Sequence, residues 1–277
     1  MRESDKIVDE LLLKGEDLID QGNLKEALEC FDKAHEIDSN NFDALYFKGL
    51  TLELMDRYRE AVKWYDKALA LNPNDEGILI SSGIALHILG EYEKANECYD
   101  RVISINPLNK EAWFRKGMTI GAMGRFEEAI GYHEKAIQID PSFLNAVFGK
   151  AMALELAGNS KEALRWYDET LMLNPEFTHA WYWKGTVLRS LGNLNNAIKC
   201  MEQVLKIDPL YRDAKQQLQA LNSSLKFTSE PFKQKGVPII IKDFSKVQET
   251  EDGLIYEDEN GDFWKLLSGD EVPLKNE

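Results

Sequence analysis

Large apolar residues recur through the first 211 positions at helical spacing, and short polar breaks interrupt them at a constant interval. Leu45, Trp113 and Trp181 each precede another apolar residue (Leu52, Ile120, Leu188) by seven places, about two helical turns, so each pair shares one face. The whole pattern steps by 34 residues. Alanine returns at 27, 61, 95, 129, 163 and 197. Aligned with it stand Asp38, Asn72, Asn106, Asp140, Asn174 and Asp208; proline follows in five copies and Ser39 in the first. Glycine steps through 15, 49, 83, 117 and 185, with Ala151 in the fifth place. A second series, Gly22, Gly90, Gly124, Gly158 and Gly192, is broken only by Asp56. Self-similarity at this period predicts stacked supersecondary units.

Each position has a physical reading. The first glycine lets a partner helix approach closely; a glycine there costs roughly 1 kcal/mol against alanine, so packing must return the difference. The second suits a left-handed residue after the first helix. The Asn/Asp-Pro step ends the second helix, because a residue before proline disfavours the α region.

These residues resemble the tetratricopeptide repeat family. In residues 110–143, Trp113, Gly117 and Ile120 fall on a first helix, Ala129, His133 and Ala136 on a second, and Pro141 closes the copy. The resemblance covers residues 8–211 and implies an all-α, right-handed α-solenoid of six helix-turn-helix repeats: 8–41, 42–75, 76–109, 110–143, 144–177 and 178–211. Residues 1–7 are a lead-in. Residues 212–225 read as a capping helix with the stripe Ala214, Leu218, Leu221 and Leu225. A linker is expected over 226–236, then a short acidic β-rich segment to 277 with a hairpin turn at Asn260-Gly261. The segment 226–277 carries too many apolar residues to stay exposed, so it is expected to dock on the repeats.

The net charge is −15, with 33 basic and 48 acidic residues. That repels phosphate backbones and anionic lipid surfaces, so neither nucleic acid nor membrane is expected as a partner. No secretory signal or membrane span is read, and a cytoplasmic location is expected. Cys30, Cys98 and Cys200 share one slot with Trp64, Tyr132 and Trp166, which makes them packing residues rather than a disulfide or metal set. His35, His87, His133 and His179 lie 46 to 52 residues apart; His133 shares its slot with Phe31, Tyr65, Tyr99 and Tyr167. No catalytic motif, cofactor or metal site is read, and the protein is expected not to be an enzyme.

The resemblance places a peptide-binding groove along the first helices. Its slots hold Asp43, Tyr46, Phe47 and Leu50, then Ile80 and Ile84, then Glu111, Phe114, Arg115 and Met118. The fifth and sixth repeats add Phe148, Met152, Glu155, His179, Tyr182 and Trp183. This lining implies a protein or peptide partner with apolar anchors and basic flanks. Co-chaperone members of the family clamp a terminal carboxylate with Lys, Asn and Arg; the matching slots here include Tyr46, Leu50, Ser81 and Glu111, and only Arg115 fits. Chaperone tails are therefore not expected. The reading is a non-catalytic scaffold or adaptor; the alternative is a regulatory or substrate-docking subunit of an enzyme complex, with the C-terminal segment as assembly or autoinhibitory element. Finally, Lys14, Lys48, Lys116, Lys150 and Lys184 recur before the glycine slot, with Ser82 the exception, while Asp32, Asp66, Asp100, Glu134, Asp168 and Glu202 recur on the second helices. A ladder of Lys–acid contacts is predicted.

Overall fold

The computed structural model describes residues 3–229, 232–234, 237–239, 247–250, 253–257, 263–267 and 270–274. Its contacts divide into two compact units, Met1–Val187 and Leu188–Glu277. The first unit is a run of helices: α1 (Glu3–Asp20), α2 (Leu24–Ile37), α3 (Phe42–Leu54), α4 (Tyr58–Leu71), α5 (Glu76–Ile88), α6 (Tyr92–Ile105), α7 (Lys110–Ala122), α8 (Phe126–Ile139), α9 (Leu144–Leu156), α10 (Ser160–Leu173) and most of α11 (Thr178–Ser190). From α1 to α10 every helix packs on its neighbours in the chain, and α1, α3, α5, α7 and α9 also touch in succession. This is an all-α solenoid. The lead-in is helical, since α1 begins at Glu3.

The recurring residues do the work their positions predict. Ala27, Ala61, Ala95, Ala129 and Ala163 are fully buried. A Cβ placed on Gly49 would lie 2.6 Å from the ring of Tyr65, and one on Gly83 2.5 Å from that of Tyr99. The glycine is small because the next helix lays an aromatic ring over it. Asn41, Asp75 and Asn109 cap α3, α5 and α7, each accepting the backbone N–H three residues on. The Asn/Asp before proline closes an Asx turn: Asn106 Oδ1 accepts from Leu108 N at 3.1 Å and Asp140 Oδ1 from Ser142 N at 2.9 Å.

The lysine ladder forms at four of the five lysines, with the acid from the preceding repeat; Lys14, in the first repeat, has no preceding copy and is exposed. Lys48 pairs with Asp32, Lys116 with Asp100, Lys184 with Asp168, and Lys150 Nζ lies 2.7 Å from Glu134 Oε1. Three rungs also stack on the aromatic of the same repeat's second helix: Lys48 over Trp64 at 3.6 Å, Lys116 over Tyr132 at 4.7 Å and Lys150 over Trp166 at 3.8 Å. The lysine stems are buried and the carboxylates remain half in water.

In the second unit α12 (Leu194–Ile207) packs on α13 (Arg212–Ser229). Ala214 and Leu221 of the predicted stripe are buried. The helix continues to Ser229, so the first residues of the expected linker are helical. Six short strands follow: β1 (Phe232–Gln234) beside β2 (Val237–Ile239), then β3 (Val247–Thr250), β4 (Gly253–Glu257), β5 (Phe263–Leu267) and β6 (Asp270–Leu274), antiparallel in that order. The Asn260-Gly261 turn lies outside the described residues, as do the side chains of the segment whose docking was expected. The fold class rests on the helices.

Candidate functional site

The face made by α3, α5, α7, α9 and the 178–187 part of α11 carries the predicted groove residues. Tyr46, Phe47, Leu50, Ile80, Ile84, Phe148, Met152, Tyr182 and Trp183 are half-buried, Met118 is 38% exposed, and Asp43 and His179 are exposed. Several rings are held by neighbours and not free to swing. Phe47 stacks on Phe31 at 5.5 Å, and Phe148 meets Phe177 edge-on at 5.0 Å.

Phe114 is a correction. It is 8% exposed, its ring 5.5 Å from Phe143 and 5.8 Å from His133, so it belongs to the packing between helices and offers no groove surface. Two rings close on it. Asn41, Asp75 and Asn109 cap the helix that follows them, whereas Phe143 makes no side-chain cap and packs on Phe114, as Phe177 packs on Phe148, and His133 is the second ring against Phe114.

A polar floor runs beneath the apolar row. Tyr65 of α4 donates its hydroxyl to Glu53 Oε2 at 2.5 Å, and Tyr167 of α10 donates to Glu155 Oε2 at 2.5 Å. Burial holds both carboxyls above the ordinary carboxylate range, and the tyrosine hydroxyls oppose that shift. One repeat after Glu53 the same slot holds His87, whose Nδ1 lies 2.8 Å from Thr119 Oγ1 and so joins α5 to α7. Thr119 Oγ1 also lies 3.0 Å from the Arg115 carbonyl, to which it donates when His87 carries its proton on Nδ1. Burial, and then Arg115, lower the His87 pKa. Arg115 is bonded to Glu111 at 2.6 Å and its charge also favours the Glu53 anion. The structure thus brings Glu53, His87, Glu111 and Arg115 into one electrostatic group, with Glu155 standing apart.

In the next copy the slot is Gly121, and the floor residue is His133, 2% exposed. Its Nδ1 has no hydrogen-bond partner among the described residues, and burial lowers its pKa to about 4. The sequence placed Tyr65 and Tyr167 only in the slot of His133 and did not mark Thr119; the shared 12-residue separation of Glu53 from Tyr65 and Glu155 from Tyr167 is the signal for the two tyrosine bonds. Among the described residues no cluster of His, Cys, Asp and Glu could hold a metal ion, and no helix is long and apolar enough to cross a membrane.

Stacked two-helix units with a mixed apolar and acidic inner face define a helical-repeat interaction module. Family models match along most of the repeats: the N-terminal TPR repeats region of Psidin over residues 17–120, and the tetratricopeptide repeat over 122–182 and 178–209. The chain belongs to the tetratricopeptide repeat family. No curated protein matches it significantly. Similar solved structures include a tetratricopeptide repeat protein from Parabacteroides merdae, 22% identical over 80% of this chain and 86% of that one, with a TM-score of 0.68. MamA is 23% identical over 62% of this chain and 94% of its own, with a TM-score of 0.56. YrrB, described as a TPR protein with an unusual peptide-binding site, is 20% identical over 69% and 99%, with a TM-score of 0.52. At these identities the likeness is one of fold.

Proposed function

We propose that this protein is a non-catalytic, cytoplasmic adaptor whose odd-numbered helices form a concave groove for a polypeptide segment with large apolar anchors and basic flanks. The observation that supports this most directly is the pairing of an apolar row with two half-buried carboxylates, Glu53 and Glu155, each held by one tyrosine hydroxyl. Met118, Met152 and Tyr182 offer adaptable contact area. An amphipathic helix laid on them brings its Lys or Arg side chains to acids whose anions are short of solvation, and the long-range field speeds encounter.

A direct test uses two model helices of equal length, one Leu/Lys and one Leu/Glu, titrated into the full chain by fluorescence anisotropy. The Leu/Lys helix is expected to bind, more weakly as salt rises, and the Leu/Glu helix not to bind. Met118→Ala with Tyr182→Ala should weaken binding by well over 1 kcal/mol while the helical signal stays intact. Equal binding of both helices, or normal binding by the double variant, would move recognition away from this face.

A further inference from the structure

The lysine ladder has one missing rung. By its spacing, Asp66 of α4 should receive a lysine from position 82 of α5, sixteen residues on, as Asp32 receives Lys48 and Asp100 receives Lys116. Position 82 is a buried serine. The aromatic that roofs three of the four rungs (Trp64, Tyr132, Trp166) is also absent, its slot holding Cys98 as it holds Cys200 at the Lys184 rung. Both large groups of one rung are therefore replaced by small ones, while the acid remains. Asp66 is exposed on its solvent side and has no ion pair or hydrogen bond among the described residues; desolvation on its protein side raises its carboxyl pKa, and the charge of Lys94 opposes that.

The missing volume is present as a cavity. A pocket of about 570 Å³ opens between α4, α5 and α6, its lining including Val62, Leu69 and Leu86 together with Ser82, Cys98 and Asp66. Four cations also border it, and two of these are engaged: Lys94 with Glu91 at 2.7 Å and Arg101 with the Pro73 carbonyl. Apolar lining from Val62, Leu69, Leu86 and Leu89, with the Asp66 carboxylate on the border, matches a long alkyl chain carrying one positive charge at its tip.

We propose that this pocket is a binding site for a lysine side chain presented by a partner polypeptide, which completes the rung in trans. The template is internal. Four times in the same chain a lysine stem lies in the equivalent space with its ammonium on the equivalent acid. The site lies away from the groove residues, so it stands or falls independently of the adaptor reading.

The test titrates N-acetyl-Gly-Lys-Gly-amide, and the same peptide with norleucine for lysine, into the full chain by two-dimensional NMR. The lysine peptide should give saturable shifts confined to residues around Asp66, Ser82 and Cys98, and the norleucine peptide should not. Ser82→Lys supplies the rung in cis; it should raise the melting temperature and weaken peptide binding at least tenfold. Asp66→Asn leaves an exposed position uncharged and should weaken binding roughly fivefold, the upper range for an exposed ion pair. Equal binding of both peptides would reduce the site to an apolar cavity and overturn the proposal. Unchanged binding by Asp66→Asn would do the same even if Ser82→Lys failed to fold.

Discussion

Tyr65 reaches from α4 across to α3 and donates its hydroxyl to Glu53 Oε2 at 2.5 Å, and three repeats on Tyr167 makes the same contact with Glu155. Both carboxyls are held above their ordinary range by burial, with the phenol hydroxyl as the first opposing influence. The chain thus keeps two half-buried anions on its inner face, each dependent on one neighbouring O–H.

Tyr65→Phe is expected to lower the unfolding free energy at pH 7 by about 1.5–3 kcal/mol, the value of a hydrogen bond to a charged acceptor. The pH dependence fixes the mechanism. A carboxyl whose folded pKa is raised weakens the fold above its unfolded pKa, and protonation relieves this as pH falls through the folded value. The deficit of the variant relative to wild type should therefore shrink between pH 7 and pH 4. Urea denaturation at both values checks it; an equal deficit at each would mean that packing, not the bond to the anion, was lost.

Phe114→Ala should act on stability and not on partner binding. The ring is 8% exposed and packed on Phe143 and His133, so truncation leaves a cavity costing about 3 kcal/mol. A variant with wild-type thermal stability and reduced affinity for the Leu/Lys helix would restore Phe114 to the groove.

His133 makes the fold sensitive to mild acid. Its pKa falls to about 4 because burial disfavours the imidazolium. A group whose folded pKa lies below its unfolded value of about 6.5 leaves the fold undisturbed above that value and weakens it as pH falls toward 4. Between pH 7 and pH 5 the loss should amount to about 2 kcal/mol. His133→Phe places in this slot the residue that Phe31 occupies in the first repeat, against a glycine in the same way. It should abolish that part of the pH dependence. If wild type and variant lose equal stability between pH 7 and pH 5, the histidine is not the sensor.

The repeats could be read from sequence because each recurring residue answers a local demand that does not depend on the neighbouring copy. The alanine crossings, the left-handed turns and the Asx-Pro stops are of this kind. The ladder was legible too, since it needs only two columns at a fixed separation, although the sequence did not say which repeat supplied the acid. Phe114 was misplaced for the opposite reason. Its slot holds Leu12, Tyr46, Ile80, Phe148 and Tyr182 in the other copies, and what buries it is contact with two rings of other columns, Phe143 and His133. Tyr65 escaped notice because a core position read as aromatic conceals what its hydroxyl does.

The left-handed turns give a paired test. Asp56 adopts φ 57° where five copies have glycine, and Gly124 sits at φ 78° with open space around its missing Cβ. Gly124→Ala should lower stability by about 1 kcal/mol, and Asp56→Gly should raise it by up to about the same, less the small contribution of the exposed Tyr58 hydroxyl bond to Asp56 Oδ1 at 2.7 Å that it removes. Calorimetric shifts of the same sign for both variants would contradict this account.

Lys150 separates charge from packing in the ladder. Its side chain is 7% exposed, lying 2.7 Å from Glu134 and 3.8 Å from the Trp166 ring centroid, while Glu134 remains 46% exposed. Removing the ammonium therefore strands no desolvated anion, since the carboxylate still meets water. Lys150→Met keeps the stem and loses the charge; its cost should be about 1 kcal/mol, the sum of a weak ion pair and a cation–π contact. Lys150→Ala also removes the buried methylenes and should cost roughly 2 kcal/mol more. Added salt should leave the difference between the two variants in place, because it measures apolar burial and not Coulomb attraction. If Met proves as damaging as Ala, the ammonium holds the stack, and the rung at Asp66 would then be a weak point in the array as well as an open site.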